Sequence, residues 1–286
     1  MTLETAIINI DDERYPAQLK EIADPPRQLY CAGDVSLMNS FCVAVVGSRK
    51  NSQYGSWAAK AVSSKLTAAG ACVVSGMARG IDTCAHLAAL GSGGKTIAVL
   101  GTGLDVCYPA ANRQLKEQIE KKGLLITEYP PGYPVHKGNF PKRNRIISGL
   151  SAATVVAEAG NNSGSLITAQ LAAEQGRSVY VIPANINNPN ALGGNLLIRD
   201  GAMPLMIIDD LIEDLGLEKE ACDTVIEGLG EDEKRIVRLL MRTSELTSSE
   251  ISAALKLTPA RVNGLLTVLE MKGLVQAALG KIFLAK

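Results

Sequence analysis

The residues best placed to do chemistry in this 286-residue chain are cations and small hydroxyl-bearing turns. The densest group is His136-Lys137-Gly138-Asn139-Phe140-Pro141-Lys142-Arg143-Asn144-Arg145. It carries four cations, and no acidic residue stands between Glu128 and Glu158. Phe140, one of only three phenylalanines, sits inside it, and Tyr129 and Tyr133 lie just upstream. Cations track a phosphate backbone and aromatic rings offer bases a surface to stack on, so the interleaving points to single-stranded nucleic acid. The plainer alternative is a solvated charged face. Arg143 and Arg145 fall at the start of a helix expected over 143–150, where cations oppose the helix dipole and a bound anion would relieve the mismatch.

Four turns extend this reading. Gly47-Ser48-Arg49, Ser75-Gly76-Met77-Ala78-Arg79-Gly80, Gly101-Thr102-Gly103 and Glu158-Ala159-Gly160-Asn161-Asn162-Ser163-Gly164-Ser165 each follow a short apolar run. Glycine lets a phosphate approach the backbone, while serine hydroxyls and helix N-terminal N–H groups donate to it. Taken singly, each is a tight turn with a capping serine. Taken together, with Arg49 and Arg79, they make an anion site. A dinucleotide fingerprint is missing, because Gly101-Thr102-Gly103 is followed by Val106 where a small residue is needed. Ala89-Leu90-Gly91-Ser92-Gly93-Gly94-Lys95-Thr96 is near a P-loop but follows a helix and opens a strand, the reverse of the required context.

Catalysis lacks a constellation. Asp82 is expected in the first turn of its helix, where a carboxylate is favoured, and Glu158 is expected to organise the Ser163-Gly164-Ser165 turn. Asp105 pairs with neither, and His86 and His136 stand 50 residues apart. Binding rather than turnover is expected, with no cofactor and no metal. The six cysteines form no C-x-x-C pair and read as reduced, buried hydrophobes.

The turns need a scaffold. Runs at 42–46, 71–74, 96–100, 124–127, 154–157, 178–182 and 205–208 are rich in Val, Ile and Leu without alternation, as strands buried on both faces are. Helical spacing fills 57–69, 82–90, 113–121, 143–150, 166–175 and 192–200. This predicts an α/β fold with a doubly wound, mostly parallel sheet over 41–216 and ligands beyond the carboxyl ends of its strands. Residues 1–40 read as an extended lead-in packed on that domain. Residues 231–286 read as a winged helix: an amphipathic helix at 231–242, a capping box at Thr247-Ser248-Ser249-Glu250, and Pro259 at the start of a third helix. A stop at Gly273 and a hairpin about Leu279-Gly280 complete it. That third helix offers only Arg261, Asn263 and Lys272 as polar readers, which is sparse for duplex recognition.

The formal net charge of zero conceals an uneven distribution. It is −4 over 1–40, +6 over 41–210, −8 over 211–233 and +6 over 234–286, with an acidic linker at 217–230. No apolar leader and no uninterrupted 18-residue apolar stretch is present, so a cytoplasmic protein without membrane contact is expected.

The motifs have a familiar order. Gly47-Ser48-Arg49, Ser75-Gly76-Met77-Ala78-Arg79-Gly80-Ile81-Asp82, Gly138-Asn139-Phe140-Pro141 with Arg143-Asn144-Arg145-Ile146-Ile147-Ser148-Gly149-Leu150, and Ser163-Gly164-Ser165-Leu166-Ile167-Thr168-Ala169 together resemble the bacterial DNA-processing protein DprA (Smf) family. The resemblance runs over about residues 15–215. It implies an extended Rossmann-like domain that binds and protects single-stranded DNA, loads the recombinase RecA on it during natural transformation, and forms homodimers. Turns and resemblance together assign DNA contact to Gly47, Ser48, Arg49, Ser75, Gly76, Arg79, Lys137, Gly138, Asn139, Phe140, Lys142, Arg143, Arg145, Ser163, Gly164 and Ser165. Two other readings remain. One is a phosphoribohydrolase of the LOG type, although its P-G-G-x-G-T signature is replaced here by Glu158-Ala159-Gly160-Asn161-Asn162-Ser163-Gly164. The other is a transcriptional regulator acting through the winged helix.

Overall fold

Apolar runs with no polar alternation need cover on both sides, and the structure supplies it as helix layers around one sheet. The computed structural model describes residues 5–217, 229–243, 245–278 and 280–284. They divide into two compact units between Lys219 and Glu220. The linker expected at 217–230 lies outside the described residues over 218–228, as does Cys222.

The strands of the larger unit are β1 (Ala6–Asn9), β2 (Gln28–Gly33), β3 (Cys42–Gly47), β4 (Cys72–Ser75), β5 (Thr96–Val99), β6 (Leu124–Thr127), β7 (Ala153–Glu158), β8 (Ser178–Val181) and β9 (Met203–Pro204). They form one sheet in the order β1-β2-β6-β5-β4-β3-β7-β8-β9. Every pairing among β3 to β9 is parallel; β1 and β2 join antiparallel at the β6 edge. The chain winds from β3 towards β6, then returns to add β7 on the other side of β3. The strand order therefore reverses between β3 and β7, and the loops leaving them part to open a crevice.

The helices are α1 (Ala17–Lys20), α2 (Gln53–Ala68), α3 (Ile81–Gly91), α4 (Arg113–Lys122), α5 (Asn139–Gly149), α6 (Gly164–Glu174), α7 (Leu192–Arg199) and α8 (Ile208–Asp214). Alternate residues of β3 face opposite layers. Cys42, Ala44 and Val46 pack in the same core as Ile146 and Ile147 of α5 and Ala169 of α6. Val43 and Val45 pack with Ala58, Ala59 and Val62 of α2 and Ile81 and Ala85 of α3.

Three sequence expectations are corrected. Residues 1–40 are more than a strap, since they contribute β1 and β2 to the sheet, with Leu19 and Leu29 fully buried in its core. The run at 205–208 is not a strand. Pairing with β8 ends at Pro204, and Ile208 opens α8, whose Asp209 and Asp210 suit a helix N-terminus. Helix α5 begins at Asn139, ahead of the expected 143, and accommodates Pro141 in its first turn.

The second unit contains α9 (Glu231–Thr243), β10 (Glu245–Leu246), α10 (Ser248–Leu255), α11 (Pro259–Met271), β11 (Val275–Ala278) and β12 (Lys281–Leu284). The strand order β10-β12-β11 makes a three-stranded wing, with β10 an addition to the expected hairpin. The capping box between Thr247 and Glu250 is formed. Ile236, Leu240, Ile251, Val262 and Leu269 make the core. Arg261 and Lys272 pair with Asp232 and Glu233 of α9, so two of the three expected readers are engaged within the module. Among the described residues, no helix is long and apolar enough to cross a membrane.

One buried histidine ties α3 to the sheet. The Thr96 hydroxyl donates to the Val73 carbonyl at 2.7 Å, so it accepts from His86 Nδ1, also at 2.7 Å. His86 is therefore neutral with its proton on Nδ1, and its buried Nε2 has no partner. Burial, together with the Arg143 charge, pushes its pKa down to about 3 from 6.5. A depressed histidine pKa contributes stability that is full above the unfolded value and is lost as pH falls towards the folded one. The wild-type protein should therefore lose about 2 kcal/mol between pH 6.5 and pH 4.5 from this group alone. His86→Asn, which cannot protonate, should be less stable at neutral pH yet show a shallower acid limb in urea titrations. An equal slope for both proteins would refute this.

Candidate nucleic-acid interface

An open cavity of about 700 Å³ lies in the crevice between the β3 and β7 loops. Its wall comes from the turn after β3 (Gly47, Ser48, Arg49, Lys50), from Ala78 and Asp82, from Tyr108, and from the start of α5 (Lys137, Phe140, Pro141, Arg143, Asn144). The turn into α6 completes it with Gly160, Asn162, Ser163, Gly164 and Ser165, joined by Asn190.

Arg143 forms the floor. It is 3% exposed and donates through Nη1 to the carbonyls of Gly76 and Val99. Gly76 is glycine for a packing reason, because a Cβ there would strike the Arg143 guanidinium. Asp82, also buried, accepts from the backbone N–H of Gly76 at 3.2 Å and of Ala78 at 3.3 Å. Burial pulls the Arg143 pKa down to about 10, against the attraction of Asp82 and with the repulsion of Arg49. Burial likewise pushes the Asp82 carboxyl up, against the pull of Arg143. The turn that holds Asp82 is tight. Gly80 has φ +83°, and a side chain there would collide with the Ser48 carbonyl. Ile81 N donates back to that carbonyl, locking the β3 and β4 turns together.

The rim is cationic and aromatic. The Arg49 guanidinium lies 5.5 Å from the centre of the Phe140 ring, and Phe140 lies 5.2 Å from Tyr108. Among the described residues, Arg49, Lys50 and Lys137 take part in no ion pair. The wall thus holds four cations and one acid. Opposite, the N-terminus of the 11-residue helix α6 opens onto the cavity, with Ser163 as its cap and the Ser163 and Ser165 hydroxyls 2.7 Å apart. The Ser165 and Leu166 N–H groups are taken up by Ser163, and the helix dipole at this end favours an anion.

Of the expected DNA contacts, the structure brings Gly47, Ser48, Arg49, Lys137, Phe140, Arg143, Ser163, Gly164 and Ser165 into this wall. Seven others lie elsewhere. Ser75 is buried and donates to the Val45 carbonyl, and Gly76 is packed under Arg143. Arg79 and Gly138 are exposed outside the cavity. Asn139 donates to the Gly101 carbonyl, so the Gly101-Thr102-Gly103 turn is packed under α5 instead of facing a ligand. Lys142 stands 3.6 Å from Glu128. Arg145 makes a two-pronged pair with Glu128 at 2.8 Å and reaches Asp24 at 3.0 Å, fastening the N-terminal segment to α5.

The dipole mismatch expected at Arg143 and Arg145 does not arise, since both lie past the first turn of α5 and are balanced by protein groups. Glu158 does not organise the serine turn. It accepts from Ser52 N and Ser52 Oγ and sets the start of α2. Tyr129 is buried against Tyr133, at 4.6 Å, leaving Phe140 and Tyr108 as the ring pair of the wall. Sequence reasoning missed Lys50, Tyr108, Asn144 and Asn190. Lys50 directly follows the first turn and was within reach of the pattern; Asn190 reaches the wall only through tertiary folding.

Residues 6–216 match the family described as DNA recombination-mediator protein A, and residues 232–277 match that described as Bacterial regulatory protein, arsR family. The chain is 48% identical over 194 residues to DNA processing protein DprA of Streptococcus pneumoniae, a match covering 68% of each chain. It is 43% identical over 210 residues to Protein Smf of Escherichia coli, which takes in 73% of this chain but only 56% of that one. The X-ray structure of the S. pneumoniae protein superposes with a TM-score of 0.71 at 44% identity over 74% of both chains. DNA processing protein A of Helicobacter pylori, described for its single-stranded DNA binding mode, superposes at 0.68 with 30% identity, over 75% of this chain and 96% of that one.

The buried charges yield a stability test. Asp82→Asn removes the carboxylate that attracts Arg143 and weakens the acceptor for the Gly76 and Ala78 N–H groups; it should cost about 1–3 kcal/mol, read as a lowered denaturant midpoint with unchanged slope. A midpoint within error of wild type would show that the floor does not depend on the pair.

Proposed function

The chain belongs to the DNA recombination-mediator protein A (DprA/Smf) family, and on that premise we propose that its cavity binds single-stranded DNA. The carrying observation is a wall of four cations and one acid beside the Phe140–Tyr108 ring pair. Arg49, Lys50 and Lys137 draw in the phosphates, and the α6 N-terminus with the Ser163 and Ser165 hydroxyls receives one of them. An unpaired base stacks on Phe140, whose other contacts, with Arg49 and Tyr108, hold the ring in place. Duplex DNA keeps its base faces covered, so a concave site with a stacking ring favours the single strand. The H. pylori relative, described for binding single-stranded DNA, supports the same choice.

Binding is favoured over turnover by the state of the carboxylates. Asp82 is tied to two backbone N–H groups, Glu158 to Ser52, and Asp105 to Gly132 N at 2.7 Å. The wider role in this proposal is to protect incoming strands during DNA uptake and to pass them to the recombinase RecA, as a homodimer in the cytoplasm. Family membership supports that role, and the free thiols of Cys31, Cys42, Cys72, Cys84 and Cys107 suit a reducing compartment.

The two parts of the site separate by salt dependence. Arg49→Ala should weaken oligo-dT binding and flatten the log–log salt plot by about 0.7 for each phosphate the arginine had neutralised. Phe140→Ala should cost about 1–3 kcal/mol while leaving that slope unchanged. Fluorescence anisotropy over a salt series measures both, and wild-type affinity in both variants would sink the site.

A further inference from the structure

Two exposed aromatic side chains of helix α2 stand outside the cavity wall. Trp57, the single tryptophan of the chain, is 60% exposed, and Tyr54 is 44% exposed. They stand three residues apart on one face of α2, with ring centres 5.8 Å apart in a stacked arrangement. The core needs neither, because α2 buries Ala58, Ala59, Val62 and Leu66 on its other face. We propose that Tyr54 and Trp57 form a second base-stacking platform, onto which the strand leaving the cavity continues.

Location and charge carry the argument. Lys50 lies in the cavity wall, and two residues later Ser52 is fixed by Glu158, whose own loop re-enters the wall at Gly160. Tyr54 Oη donates to the Pro183 carbonyl at 3.1 Å, just past the end of β8. The ring pair therefore sits beyond the carboxyl ends of β7 and β8, on the side of the sheet where the cavity opens. The start of α2 is also rigidly placed, since Gly55 is pressed on the Glu158 carboxylate with no room for a Cβ.

Cations flank the platform. Arg49 and Lys50 precede it, and Lys60, exposed one turn beyond Trp57, joins no ion pair among the described residues. Cation, ring, ring and cation in succession match a single strand, whose phosphates and bases alternate.

This inference rests on the cavity reading, and the lone tryptophan lets the two be tested apart. Labelled oligo-dT of about 15 nucleotides reports binding by anisotropy, while Trp57 emission reports contact at the platform. Stacking should quench Trp57 in step with the anisotropy. Trp57→Ala should weaken binding of that oligomer roughly five-fold or more, and Trp57→Phe should recover most of the loss. Arg49→Ala should abolish both signals together at the same DNA concentration. If wild-type protein binds with Trp57 emission unchanged and Trp57→Ala keeps full affinity, the platform is refuted while the cavity reading stands. If oligo-dT does not bind at all, both fall. Emission that changes only on diluting the protein would identify the pair as a contact between copies and overturn the platform.

Discussion

A guanidinium held inside the protein is the constraint on which the site depends. Arg143 extends from α5 to the carbonyls at the ends of two strands, those of Gly76 after β4 and Val99 at the end of β5. Asp82, at the start of α3, answers its charge. One side chain thus binds a helix on one face of the sheet to the turn that begins a helix on the other. Burying such a charge is costly unless hydrogen bonds and a counter-charge meet it, so this arrangement forces neighbouring choices. Gly76 must lack a side chain, Gly80 must turn with positive φ, and Met77 between them is driven to φ +54°. Met77 is fully buried, and its carbonyl accepts from Asn112. Local strain there is offset by packing around it.

The fold was readable where one physical requirement dominates. Strands β3 to β7 announce themselves because two-sided burial leaves no polar alternation. The Thr247–Glu250 box and Pro259 mark helix starts because few residues satisfy free backbone N–H groups or suit a first helical position. The N-terminal strands were harder, since β1 has one buried residue in four and gains its place only by pairing with β2. At the far edge, the run at 205–208 has a strand's composition but follows Pro204 and precedes two aspartates, and the local preference for a helix start won.

The site was half legible for a related reason. Residue type announces a cation but not where its charge is spent. Arg143, Arg145 and Lys142 look alike in a basic run, yet one is floor, one is a clasp to Glu128 and Asp24, and one leans on Glu128 from the surface. The acids that claim them come from distant segments. Among the described residues, Arg49, Lys50 and Lys137 have no such claimants, and that difference is tertiary. Phe140 could be singled out from its rarity, whereas its partner Tyr108 sits in a loop without a nearby basic motif.

The division between spent and unspent charge also bears on time. Unpaired cations at a rim act at a distance, accelerating the first encounter with a polyanion and weakening steeply as salt rises. A ring fixed before its guest arrives acts only at contact, and being already ordered it loses little freedom when a base settles on it. On the proposed reading, the Arg49, Lys50 and Lys137 rim would govern how quickly a strand is captured, and the clamped Phe140 how long it stays.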